Sequence, residues 1–215
     1  MIRTELEEWK NLKVEANRLR LLIKTSLDGT YKAAFAEEEM TLRREEDTLF
    51  IKEDAGRKEE DTVTLFVPAG TPLMDMDISI EAGFLKIWDV QTDRLKASIH
   101  TGHIGLDNVV CGNLDLFVAS GDIMGDKILV GSGWLSLSNG LLKFKTLDVK
   151  KDLNAQVCDG TLKLALVKET AENCRVMGIM ENGLREVERD IAECSGEIPL
   201  KLKVVNGRLR VKEQK

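Results

Sequence analysis

The sequence predicts an all-β fold: a single-stranded, right-handed β-solenoid (β-helix) with coils of about 19 residues behind an irregular, β-rich N-terminal cap. Three observations predict it. The first is a glycine ladder, Gly83, Gly102, Gly121, Gly140, Gly160, Gly183 and Gly207, with spacings of 19, 19, 19, 20, 23 and 24 residues. A nearly fixed period marks stacked units, none of which can bury its apolar face without its neighbours. The second is the alternation around each rung. Three residues before the glycine the column reads Ile80, Ile99, Val118, Leu137, Val157, Met180, Val204, and five before it Ile78, Ala97, Leu116, Leu135, Ala155, Gly178, Leu202. The position between them is mostly polar (Ser79, Ser98, Phe117, Ser136, Gln156, Ile179, Lys203), the period-two pattern of a strand with one buried face. The third is the Asn139, Asp159, Asn182 or Asn206 that precedes four of the glycines, a pairing that favours positive φ and a sharp bend between strands. After the bend Leu85, Ile104, Ile123, Leu142, Leu162 and Leu209 open a second strand. Asn-Gly can also close an antiparallel hairpin, the main structural rival. The constant repeat favours a full circuit of short strands.

Composition agrees with a narrow aliphatic core. Aromatic residues make up 5% of 215, and there are three prolines. A chain of this length buries about 70% of its unfolded surface, enough for one large domain. The net charge of −6 disfavours polyanionic partners, so no nucleic acid is expected. Cys111, Cys158, Cys174 and Cys194 are widely spaced without a C-x-x-C pair, which reads as reduced structural thiols rather than a zinc site. Met1–Glu5 opens a charged segment without an apolar core, and no apolar run nears 18 residues. These features predict no membrane insertion and a cytoplasmic location, with membrane association only through a partner.

In chain order, Thr4-Glu5-Leu6-Glu7 reads as a capping box over one or two helical turns through Trp9. Leu12–Val14 and Leu19–Lys24 then read as strands, with a helix over 3–24 as the competing reading. Asp28-Gly29 is a turn before Tyr31–Phe35, and 40–52 reads as a hairpin. Residues 53–61 form a polar loop, after which 62–73 deliver the chain into the ladder. Two sections follow: a cap over 1–61 and a regular solenoid over 62–215, in one continuous domain. Such a cap covers strand edges that would otherwise be open. At the far end, Pro199 and the cations of 198–212 read as protection of a terminal edge. The longer spacing between late rungs admits a short surface helix near Glu186–Cys194, where Leu184, Val187 and Ile191 have helical spacing.

The phrase Val63-Thr64-Leu65-Phe66-Val67-Pro68-Ala69-Gly70-Thr71-Pro72-Leu73, followed by Ser-Gly-Asp-Ile and Thr-Gly-His-Ile rungs, resembles the bacterial domain-of-unknown-function 4097 group, adhesin-like β-solenoid proteins. The resemblance spans roughly residues 10–212. It implies the solenoid fold, and an association with cell-envelope stress systems or the cell surface.

Candidate chemistry is sparse. His100 and His103, with Cys111 beyond, flank a turn glycine and read as exposed turn residues rather than metal ligands. No Ser-His-Asp grouping, phosphate loop or H-E-x-x-H motif is present, so no catalytic residue, metal or cofactor is expected. Five positions after the glycine, Trp88, Asp107, Asp126 and Lys145 form a column. Stacked in register, Asp107 and Asp126 would lie about 4.8 Å apart, near the separation that retaining glycosidases use. They are the carbohydrate or cation candidates, with Lys127 and Lys145 able to neutralise them. Phe117 and Trp134 occupy outward columns on adjacent rungs and, with Trp88, are the partner-binding candidates. The function read from these residues is a non-catalytic scaffold or protein-interaction module with a protein partner or self-association, linked by resemblance to envelope stress; a carbohydrate-binding or polysaccharide-active, adhesin-like surface is the alternative.

Overall fold

Strands dominate the computed structural model, which describes residues 2–35, 40–53 and 61–214. They are β1 (Ile2–Leu6), β2 (Asn11–Ser26), β3 (Tyr31–Phe35), β4 (Met40–Glu45), β5 (Thr48–Glu53), β6 (Asp61–Pro68), β7 (Leu73–Trp88), β8 (Gln91–Leu166), β9 (Cys174–Val187) and β10 (Ile198–Glu213). Two short helices, α1 (Lys168–Asn173) and α2 (Arg189–Glu193), flank β9. β8 runs for 76 residues, and it winds around the core as successive parallel coils. Like faces like between coils: Leu19, Gly83 and Gly102 stack, as do Leu21, Leu85 and Ile104, and Leu12, Met76 and Leu95. The fold is a β-solenoid.

The coils bend at the ladder glycine and again about six residues later, the first bend with positive φ at every rung and the second at three of them. The first is at the ladder glycine, where φ lies between 132° and 153°. The second comes six residues later, at Asp89, Asn108 and Lys127, with φ of 54°, 52° and 53°. A third inward-facing arm therefore completes the coil, with Val90, Val109, Ile128 and Leu147 buried in one column and Cys111, Val130 and Val149 in the next. Each such aliphatic side chain contributes about 1.5–3 kcal/mol on burial. Reading two strands per repeat missed this arm.

The N-terminal end is closed by reversal of strand direction. On its free side β2 pairs in parallel with β5 and β6. β4 then lies antiparallel to β5, as the hairpin reading of 40–52 expected, while β3 lies antiparallel to β6 and β1 antiparallel to β3. The helical turns expected over residues 4–9 are absent: Ile2–Leu6 is strand β1, because the free edge of β3 satisfies its backbone groups. Trp9 is fully buried, its ring 5.7 Å from that of Tyr31. Of the polar loop read over 53–61, Glu53 ends β5, Asp61 begins β6, and 54–60 lie outside the described residues.

The C-terminal end corrects the reading of the last rungs. β10 pairs with β8 on one side and with β9 on the other. In space the Gly207 rung is therefore inserted between Gly160 and Gly183. Pro199 and the lysines of β10 do not protect an outer edge; β9 is the terminal strand. The expected helix near Glu186–Cys194 is present but short, with Ile191 buried and Leu184 and Val187 in β9 instead. α1 was not anticipated. It docks through Thr170, fully buried, whose hydroxyl donates to Asp148 Oδ1 at 3.0 Å and accepts the Val149 N–H at 3.0 Å.

Candidate interaction surface

Two outer faces carry the candidate residues. On the arm before the glycine, Phe117 is 38% exposed and Trp134 48% exposed. They sit two positions apart along the chain direction on neighbouring coils, since Gly121 and Gly140 are stacked. Ser136, on the Trp134 coil, stands directly opposite Phe117, and its hydroxyl accepts a 3.0 Å hydrogen bond from Gln156 Nε2. Large apolar side chains held on a stacked sheet lose little further conformational freedom on binding, which suits them to protein recognition.

Trp88 lies on the other arm, after the glycine, and is not brought beside Phe117 and Trp134. Its indole faces the Lys86 ammonium, 4.4 Å from the ring centroid, a cation–π contact. In the ladder Trp88 stands directly opposite Asp107. Asp107 and Asp126 line one shallow groove together with Phe84, His103, Lys143 and Lys145. The two carboxylates are thus on one face with cations beside them. His103 Nδ1 lies 3.2 Å from Asp122 Oδ2, and its ring meets Phe84 edge-on at 6.5 Å. Both histidines are exposed, and among the described residues no three His, Cys, Asp or Glu side chains converge on a common point.

Sequence reading missed a cationic strip on this same face. Lys143, Lys163 and Arg210 occupy the position three after the glycine, and Lys145 and Lys212 the position five after it. Arg210 is directly opposite Lys163. All five line a groove of about 390 Å³ floored by Phe144, Leu164 and Ala165. Lys143 and Lys145 border both grooves, so the strip continues the aspartate groove. Like charges opposite one another cost stability, and among the described residues Glu186 answers one of them, 3.6 Å from Arg210 Nε. An anionic group bound here would relieve that repulsion. Reading charge down each column through the last rungs would have found it.

The four cysteines are free thiols. Burial pushes the Cys111 thiol up to about 11 and that of Cys174 to about 11, so both stay protonated and inert near neutrality. The Cys111 thiol donates to the Asn113 carbonyl at 2.9 Å. Cys158 is exposed in its column.

With ladder, cap and faces in place, the sequence pattern of the Toastrack DUF4097 family matches residues 28–215. The chain belongs to the Toastrack DUF4097 family. A candidate adhesin from Parabacteroides merdae resembles this Toastrack chain with a TM-score of 0.50 at 13% identity, covering 100% of this chain and 95% of that one. A candidate adhesin from Bacteroides fragilis gives 0.46 at 10% identity (99% and 95%), and a candidate cell adhesion protein from Clostridium sporogenes 0.38 at 10% (99% and 98%). At 13% identity the likeness to the Parabacteroides merdae protein shows the fold alone. No curated protein matches the Toastrack chain. Among its described residues, no helix is long and apolar enough to cross a membrane.

Proposed function

We propose that this Toastrack chain is a non-catalytic scaffold that presents its outer face to a protein partner, in the envelope-stress setting that the family resemblance implies. The exposure of Phe117 and Trp134 on neighbouring coils carries this reading. A solenoid stacks its coils rigidly, so the two rings keep a fixed spacing that a complementary surface can match. A photo-reactive amino acid replacing Ser136 tests it in the native cells. The expected result is one discrete protein adduct, lost in Phe117→Ser/Trp134→Ser, with the melting temperature close to wild type. Labelling no different from a probe at Ser98, on the same column two coils away, removes the reading.

A second reading, a carbohydrate-binding surface, is favoured by one observation: Trp88 stands opposite Asp107, and the groove of Asp107 and Asp126 runs into the cationic strip. That strip suits an acidic polysaccharide. Titration with polygalacturonate beside a neutral glucan separates the outcomes: saturable binding of the acidic polymer alone, weakened in Lys163→Glu, supports this reading, and binding of neither polymer rejects it.

A further inference from the structure

We propose that two copies of this chain associate end to end, by antiparallel pairing of their β9 edges about a two-fold axis through Gly178. This goes beyond the outer-face reading and does not depend on it. β9 pairs with β10 along one side only, and among the described residues no strand covers its other side. An open strand edge is a template for another strand. Here the edge is also apolar: Ile179 is 61% exposed and Met177 38% exposed, and the inward-facing Val176 and Met180, whose columns are buried in most other coils, are only half-buried. Among the described residues no further coil stacks on this end of the core.

The occupant follows from the sequence of the edge, Arg175-Val176-Met177-Gly178-Ile179-Met180-Glu181, which is complementary to its own reverse. With Gly178 opposite Gly178 of the second copy, outward Met177 meets Ile179, and outward Arg175 meets Glu181. On the inner side Val176 meets Met180. Every pair is apolar with apolar or cation with anion, and each occurs twice because the interface is isologous. Glu181 is already 3.0 Å from Lys203 of its own chain, yet its side chain remains 47% exposed and can accept a second cation. A two-fold normal to this sheet keeps both outer faces on one side and joins the two aliphatic cores. The opposite end offers no continuation of the parallel stack, since β1, β3 and β4 run antiparallel there. Head-to-tail growth is therefore not matched, and pairing closes at two copies.

Light-scattering chromatography at increasing protein concentration tests the proposal, with a thermal melt of each variant to confirm folding. The wild type should approach twice 24.0 kDa. Ile179→Lys, an exposed substitution, should leave a folded monomer. Arg175→Glu places like charges opposite at two symmetric points and should weaken the dimer about tenfold. Arg175→Glu/Glu181→Arg should restore it, which only this register explains. A wild type that stays monomeric at the highest soluble concentration overturns the proposal. So does a dimer indifferent to Ile179→Lys and lost in Phe117→Ser/Trp134→Ser, a result that would keep the outer-face reading intact.

Discussion

The carbonyl oxygen of Gly102 lies 1.8 Å from the point at which a side chain on Gly121 would begin. The same approach recurs along the ladder, from 2.1 Å at Gly83 over Leu19 to 1.9 Å at Gly183 over Gly207. The glycines are thus required twice, by a φ of 141° in the case of Gly121 and by the coil beneath.

Gly121→Ala should accordingly cost more than about 3 kcal/mol, because strain and a backbone clash add. Gly29→Ala is the control: φ is 71° but nothing lies within 4 Å of its added carbon, so the cost should be about 1–2 kcal/mol. Urea unfolding of both variants measures the difference. Equal losses would show that the close approach is not what selects glycine.

At the second bend the expected change is a gain. Lys127 holds φ at 53° where the two preceding coils have Asn108 and Asp89, residues that tolerate this region better. Lys127→Asn should raise stability by several tenths to about 1 kcal/mol, read as an upward shift of the melting temperature.

Docking of α1 buries Ala171 and one hydroxyl, that of Thr170. Thr170→Val keeps the shape but strips the Val149 N–H of its acceptor, and should cost about 1–3 kcal/mol. Thr170→Ser should retain most of that stability. Amide exchange at Val149 gives a direct second readout, faster in the valine variant alone.

Native alkylation near pH 8 should modify Cys158 first and spare Cys111 and Cys174, with peptide mapping as the measurement. The pH dependence has a defined sign. Folding raises these two thiols from 9.0 to about 11, so the unfolded chain ionises first. Their contribution is whole below pH 9 and is lost as pH rises toward 11. Cys111→Val should flatten that decline in urea midpoints across the window.

Much of the fold was legible because the repeat writes itself in single columns: the inward positions before and after each glycine, such as Leu116, Val118 and Ile123, can be identified by alternation alone. The third arm escaped because Thr92 stands in its inward column and breaks the apolar alternation. The order of the last two rungs escaped for a different reason: Gly183 and Gly207 carry the same phrase, and nothing local states which neighbour each will take. Of the site, the exposure of Phe117 and Trp134 followed from column parity. The cationic strip did not, because its members are dispersed between Lys143 and Lys212 and converge only when coils stack.

The late insertion of β10 has a consequence for biosynthesis. As the chain leaves the ribosome, β7 and the coils of β8 can be laid down one upon another on β2 in the order of translation. β9 then emerges before the strand it pairs with, and waits until the 16 residues of β10 slide in beneath it. Termination between Val187 and Ile198 would therefore remove β10, the strand with which β9 pairs.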